Sequence, residues 1–137
     1  MVDEPLLKEA MNIIKTKTFT ASITIGLELG YTKELLSKNL VIKELQAYQK
    51  KRIDEANIYL SASVCECSIV LSGQNEPHLR LEFINYPKFP LEKEVFKQEI
   101  IDLGAYLLGK MQQNRTVIVF SDETYMLELN EAIDPRI

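Results

Sequence analysis

His78, Arg80 and Glu82 alternate with Leu79, Leu81 and Phe83. In an extended strand every second side chain points to the same face, so this spacing puts three ionisable groups on one side and three apolar groups on the other. A guanidinium placed this way can hold a small anion in a two-point contact. A carboxylate or an imidazole beside it can carry a proton. Glu66 and Ser68, on the strand before, can lie across from this row, and Tyr31 and Tyr86, in loops, can line a pocket. The ligand-binding candidates are therefore Arg80, Glu82, His78, Glu66, Ser68, Tyr31 and Tyr86. No reaction follows from them, and no catalytic residue is assigned. The competing account is a solvated or subunit-facing sheet surface with one weak cross-strand ion pair.

Cys65-Glu66-Cys67 has the atoms of a metal site but too few of them. A closed zinc site needs four ligands, and the single histidine, His78, is expected at the far end of the hairpin from the cysteines. We expect no metal and no cofactor, with both thiols reduced and packed in the core. Asp122 and Glu123 carry too few oxygen donors to specify a cation and read as turn residues. Serine-nucleophile chemistry lacks its elbow motif, and the phosphate-binding glycine loop is absent. Pro5 is internal and offers no free secondary amine. RNA recognition would want aromatic side chains on the exposed parity of the central strands, where Thr, Ser, Arg and Glu stand instead.

Formal charge is −4, from 16 Lys and Arg against 20 Asp and Glu, so the summed field repels nucleic acid and anionic lipid. The longest apolar runs are far too short to span a membrane, and acids occupy the start where a leader would carry basic residues. The expected location is the cytoplasm. A chain of 137 residues with 46% hydrophobic residues reads as a single domain with a core of its own.

The elements that must position the candidates follow from periodicity. Asp3 as cap and Pro5 in the first turn start an N-terminal helix (1–16), with Leu6, Leu7, Ala10, Met11 and Ile14 on one face. Phe19, Ala21, Ile23, Ile25 and Leu27 alternate with Thr and Ser as a strand with one dry face. Ser37 caps a helix carrying Leu40, Val41, Leu45 and Tyr48. From Ile58 to Leu71 the apolar parity switches, even through Val64 and odd from Cys65, which predicts a bulge. A polar turn from Ser72 to Pro77 leads to the returning strand, in a register that sets Leu71 opposite Leu79 and Cys67 opposite Phe83. Phe96, Ile100, Leu103, Leu107 and Met111 form the stripe of another helix. Thr116 to Phe120 and Tyr125 to Leu129 close the pattern, and 130–137 reads as a loose tail after a core of 17–129.

This order predicts an α+β fold: a ferredoxin-like β-α-β-β-α-β sandwich with an extra N-terminal helix and a C-terminal β-strand, helices on one face of an antiparallel sheet. The uncovered face and edges need a partner, and small residues such as Ser22 and Thr24 permit close approach, so a dimer is expected. The function read from these features is a non-enzymatic, homo-oligomeric cytosolic binding or structural module. The alternative is a small-ligand sensor or small enzyme using the polar sheet face around Arg80 and Glu82, with a small anion as ligand.

Overall fold

The protein is described by a computed structural model over residues 3–135. Helix α1 (Glu4–Ala10) precedes β1 (Thr20–Gly26), α2 (Lys38–Ala56), β2 (Ser63–Leu71), β3 (Gln74–Ile84), α3 (Lys93–Lys110), β4 (Arg115–Phe120) and β5 (Thr124–Glu128). The fold is α+β, with three helices and one five-stranded antiparallel sheet ordered β2-β3-β1-β4-β5.

The period-two strands bury one parity against α2 and α3. Ala21, Ile23 and Ile25 of β1, Leu79, Leu81 and Phe83 of β3, and Ile118 and Phe120 of β4 form the core with Val41, Leu45 and Tyr48 of α2 and the whole α3 stripe from Phe96 to Met111. Ser37 caps α2 as its sequence predicts, its hydroxyl accepting from the Asn39 N–H at 3.1 Å. Gly104 lets α3 press onto the sheet, since a Cβ there would meet Ile118 Cδ1 at 2.8 Å. The helices are tied together by Arg52 of α2, whose Nε donates to Glu99 Oε1 at 2.7 Å and Nη2 to Oε2 at 3.1 Å. At the β4–β5 turn, Lys97 of α3 bonds Asp122 and Glu123, so the turn acids answer a buried lysine.

The expected bulge does not form. β2 pairs with β3 without interruption from Ser63↔Glu82 to Leu71↔Gln74. The parity switch arises because β2 is an edge strand: Val64 still meets the core, whereas Cys65, Cys67 and Ile69 lie on the opposite, open face. The hairpin register also differs, because the loop is the two residues Ser72 and Gly73, with Ser72 at φ 51, and not a six-residue turn. Cys67 therefore faces His78, not Phe83, and Leu71 faces Gln74, not Leu79. Cys65 is exposed and Cys67 half-buried, so the core thiol pair is not found. Pro77 is accommodated inside β3, where its carbonyl accepts from the Leu27 N–H at 2.9 Å.

The first helix ends at Ala10, not near residue 16, and its apolar side chains find nothing to cover: none of its residues is buried, and Asp3 makes no side-chain cap bond. A seven-residue helix without tertiary packing has little to extend it. Of the tail 130–137, residues 136 and 137 lie outside the described residues, and the stretch that follows β5 is hydrogen-bonded to the entry of β4. The Leu129 N–H donates to the Asn114 carbonyl at 2.9 Å and the Asn130 N–H to Asn114 Oδ1 at 3.1 Å. No helix among the described residues is long and apolar enough to cross a membrane.

Candidate active site

At the end of β1, where the chain leaves the sheet, a cleft of about 210 Å³ opens. Its walls come from four places in the sequence: Gly26 to Tyr31 at the end of β1 and in the following loop, Glu76 to His78 at the start of β3, Gln113 to Arg115 entering β4, and Ile133 and Asp134 after β5. The loop carrying Tyr31 is folded on itself. The Leu29 N–H donates to the Glu34 carbonyl at 2.7 Å, and Thr32 Oγ1 donates to the Leu29 carbonyl at 2.6 Å. Gly30 at φ 56 makes that turn, a backbone conformation that costs glycine little.

The opposite wall is set by how α3 stops. The Gln113 N–H reaches back to the Leu108 carbonyl at 2.9 Å and the Gln112 N–H to the Gly109 carbonyl at 3.2 Å, the double bond pattern of a helix end whose turning residue is left-handed. That residue is Gln112, at φ 51, where glycine is the usual occupant. The turn delivers Gln113 into the cleft, where Nε2 donates to the carbonyls of Glu28 at 2.9 Å and Met111 at 2.8 Å. His78 projects from β3 toward Gly26, with Nδ1 3.2 Å from the Glu76 carbonyl oxygen.

Tyr31 Oη joins the walls. It accepts from Asn114 Nδ2 at 2.8 Å and from Arg115 Nη1 at 2.8 Å, and it donates to the Ala132 carbonyl at 3.1 Å. One donor and two acceptors are all a phenol has, so this hydroxyl is fully engaged. Arg115 also bonds Glu128 on the neighbouring strand, and that bond, followed by the nearby Tyr31 and Glu128 oxygens, holds its guanidinium above the usual arginine range. The cleft thus carries three carboxylates, Glu28, Glu76 and Asp134, beside one guanidinium and one imidazole. Among the described residues no three His, Cys, Asp or Glu side chains are grouped to hold a metal ion.

The seven residues nominated from sequence are distributed, not gathered. His78 and Tyr31 line the cleft. Glu82 lines a separate depression of about 300 Å³ on the open face with Thr20, Ser22, Ile84 and Val119. Arg80 stands between the two on β3, flanked by Thr24 and Cys65, and neither it nor Glu82 makes an ion pair among the described residues. Glu66 points the other way, 3.6 Å from Lys38 of α2. Ser68 lies opposite Pro77, exposed. Tyr86 stacks on Phe89, which in turn stacks on Tyr59 at 4.3 Å between ring centroids. Glu28, Gln113, Asn114, Arg115 and Asp134 were not anticipated. The one local signal for them was the polar run Gln112-Gln113-Asn114-Arg115 breaking an apolar helix from an apolar strand.

By sequence, no protein-family model and no curated protein matches this chain. By structure, two solved chains do. The fold is that of a phage SAM lyase. The lyase in complex with S-methyl-5'-thioadenosine superimposes with a TM-score of 0.68 and 21% identity, over 88% of this chain and 98% of that one. The apo-state structure of a phage SAM lyase gives 0.67 and 22%, over 84% and 92%. This likeness corrects the expectation of a non-enzymatic binding or structural module, because the architecture shared over nearly the full length is that of an enzyme which binds a small ligand.

Proposed function

We propose that this chain is a small-molecule enzyme acting on an S-adenosylmethionine-type sulfonium, releasing S-methyl-5'-thioadenosine, with the cleft at the end of β1 as its active site. The observation that carries the reading is the mixed-charge lining of that cleft, Glu28, Glu76 and Asp134 with Arg115 and His78. Such a substrate is itself mixed: a sulfonium and an ammonium for the carboxylates, a carboxylate for the cationic groups. The shared fold of the phage SAM lyase supports the same class of ligand.

A sulfonium leaves as a neutral thioether, so no acid is needed to protonate the leaving group. The carbon–sulfur bond to the amino-acid portion breaks with both electrons passing to sulfur. The substrate's own carboxylate oxygen forms the new bond to that carbon and closes a lactone. The protein's work is then to hold the chain folded for this attack, an effect of proximity, and to keep competing water out. The full engagement of Tyr31 Oη leaves that hydroxyl no free lone pair to act as a base. Purified protein incubated with S-adenosylmethionine should release S-methyl-5'-thioadenosine, detected by chromatography, together with a lactone carrying no deuterium on carbon when the reaction runs in D2O. Failure to form any thioether product at protein concentrations equal to substrate, with no thermal shift by either compound, would overturn the reading.

Three finer points belong with it. Strands β2-β3-β1-β4 with α2 and α3 read as a ferredoxin-like core, supported by the split connections β1-α2-β2 around β3 and β3-α3-β4 around β1, with β5 as an added edge. Self-association as a homo-oligomer is supported by Ile84, Val117, Val119 and Met126, all exposed on the open face, and light scattering giving a mass of 15.7 kDa would refute it. A cytoplasmic location suits the exposed free thiol of Cys65.

A further inference from the structure

The segment 129–134 runs from the end of β5 to the cleft, where Ile133 and Asp134 line the wall, and hydrogen bonds supply most of its attachments. Its large apolar residues do not anchor it: Leu129 and Ile133 are each 71% exposed. Its polar attachments instead converge on three side chains, those of Asn114, Tyr31 and Arg115, whose Nη2 donates to the Asn130 carbonyl at 3.5 Å. Asn114 binds it at three points, with Nδ2 donating to the carbonyls of Asn130 at 3.2 Å and Ala132 at 3.3 Å, and Oδ1 accepting from the Asn130 N–H. Tyr31 Oη donates to the Ala132 carbonyl and is itself fixed by Asn114 and Arg115. Inside the segment, the Ala132 N–H donates to Asn130 Oδ1 at 2.9 Å, which curls the chain so that Asp134 is 7% exposed at the cleft wall. Solvent-accessible hydrogen bonds contribute about 1 kcal/mol each, because water competes for both partners. A segment so held opens far more readily than the packed core beneath it.

We infer that Tyr31 is a positioning residue, a latch that seats the 129–134 strap over the cleft and so places Asp134 in the ligand site. The inference rests on the cleft being that site. The Tyr31 hydroxyl is fully used by these contacts and so acts through what it holds, and it is suited to the task by geometry: it reaches from the β1–α2 loop to Asn114, Arg115 of β4 and the strap at once. Closure over a bound ligand would exclude water from it, and release of the strap would let product leave.

The test is Tyr31→Phe in the full chain, which deletes the hydroxyl and keeps the ring. Hydrogen exchange should speed about tenfold at the amides of Leu129, Asn130 and Ala132, with α3 and β1 amides unchanged. KM for S-adenosylmethionine should rise about tenfold while kcat changes less than threefold, and binding of S-methyl-5'-thioadenosine should weaken in step with KM. Asn130→Ala, which removes the acceptor of the Ala132 N–H without touching the loop, should reproduce both effects and guards against misfolding of the first variant. Unchanged exchange in 129–134 of the Tyr31→Phe variant would overturn the latch, whatever Asn130→Ala does. Faster exchange with unaltered KM and product affinity would overturn its role in the site. Wild-type protein that neither turns over nor binds the two compounds would refute the proposed function alone, and the exchange measurement, which needs no ligand, would still decide whether Tyr31 holds the strap.

Discussion

Gly26 lies so close to the side chain of Gln113 that a Cβ at Gly26 would stand 2.5 Å from Gln113 Oε1. β1 must therefore end in a residue without a side chain for the Gln113 amide to reach the Glu28 and Met111 carbonyls across the cleft floor. Gly26→Ala should displace that amide, destabilising the protein by about 1 kcal/mol through the lost bonds and weakening S-methyl-5'-thioadenosine binding. In a Gln113→Ala background the same substitution should cost almost nothing. A double-mutant cycle by urea denaturation checks this, and additive effects would disprove the coupling.

Arg52 and Glu99 differ in what remains when the other is removed. Glu99 is nearly buried, with Arg52 as its ion-pair partner, whereas Arg52 also bonds Glu55 at 3.2 Å. Arg52→Ala should thus strand a carboxylate between α2 and α3 and cost about 3 kcal/mol, while Glu99→Ala should cost about half of that. Chemical denaturation of the two variants measures the asymmetry.

Hydrogen bonds from Lys93 and then Lys97 hold the Asp122 carboxyl down to about 2. A depressed carboxyl stabilises the folded state fully above its unfolded value of about 3.9, and that contribution is lost as pH falls through about 2. Asp122→Asn should therefore remove part of the stability loss between about pH 4 and pH 2. Denaturation midpoints at pH 5 and pH 2.5 should fall less in the variant than in the wild type. Equal falls would show that the pair contributes nothing.

The thiols should behave unequally. Cys65 is exposed on the edge strand and Cys67 is half-buried across from His78, so a thiol reagent should label Cys65 first in native protein. Because Cys67 faces away from Phe83, Cys67→Leu should change stability by no more than about 0.5 kcal/mol, as expected of a surface substitution. A loss of about 2 kcal/mol would indicate overpacking and return Cys67 to the core.

Local pattern alone determined the elements, because burial leaves a period in the sequence: the alternation from Phe19 to Leu27 is β1, the stripe from Phe96 to Met111 is the buried side of α3, and Ser37 is the cap of α2. Parity also assigned Leu79, Leu81 and Phe83 to the core and His78, Arg80 and Glu82 to the other face. Register escaped that reading: the two-residue Ser72–Gly73 loop sets β2 an odd number of places from the expected pairing, and an odd shift carries Cys65, Cys67 and Ile69 to the open face. The apparent bulge in β2 had the same origin: past Val64 this edge strand packs neither face against the core, so its apolar parity there reports no burial. The cleft was the least legible part. Its residues, from Gly26 to Asp134, come from four separated stretches, each polar for reasons that look local, a strand end, a turn, a helix terminus. Only the antiparallel order β3-β1-β4 brings those ends to one edge of the sheet, and only hydrogen bonds spanning about a hundred residues, such as Tyr31 to Ala132, turn them into a site.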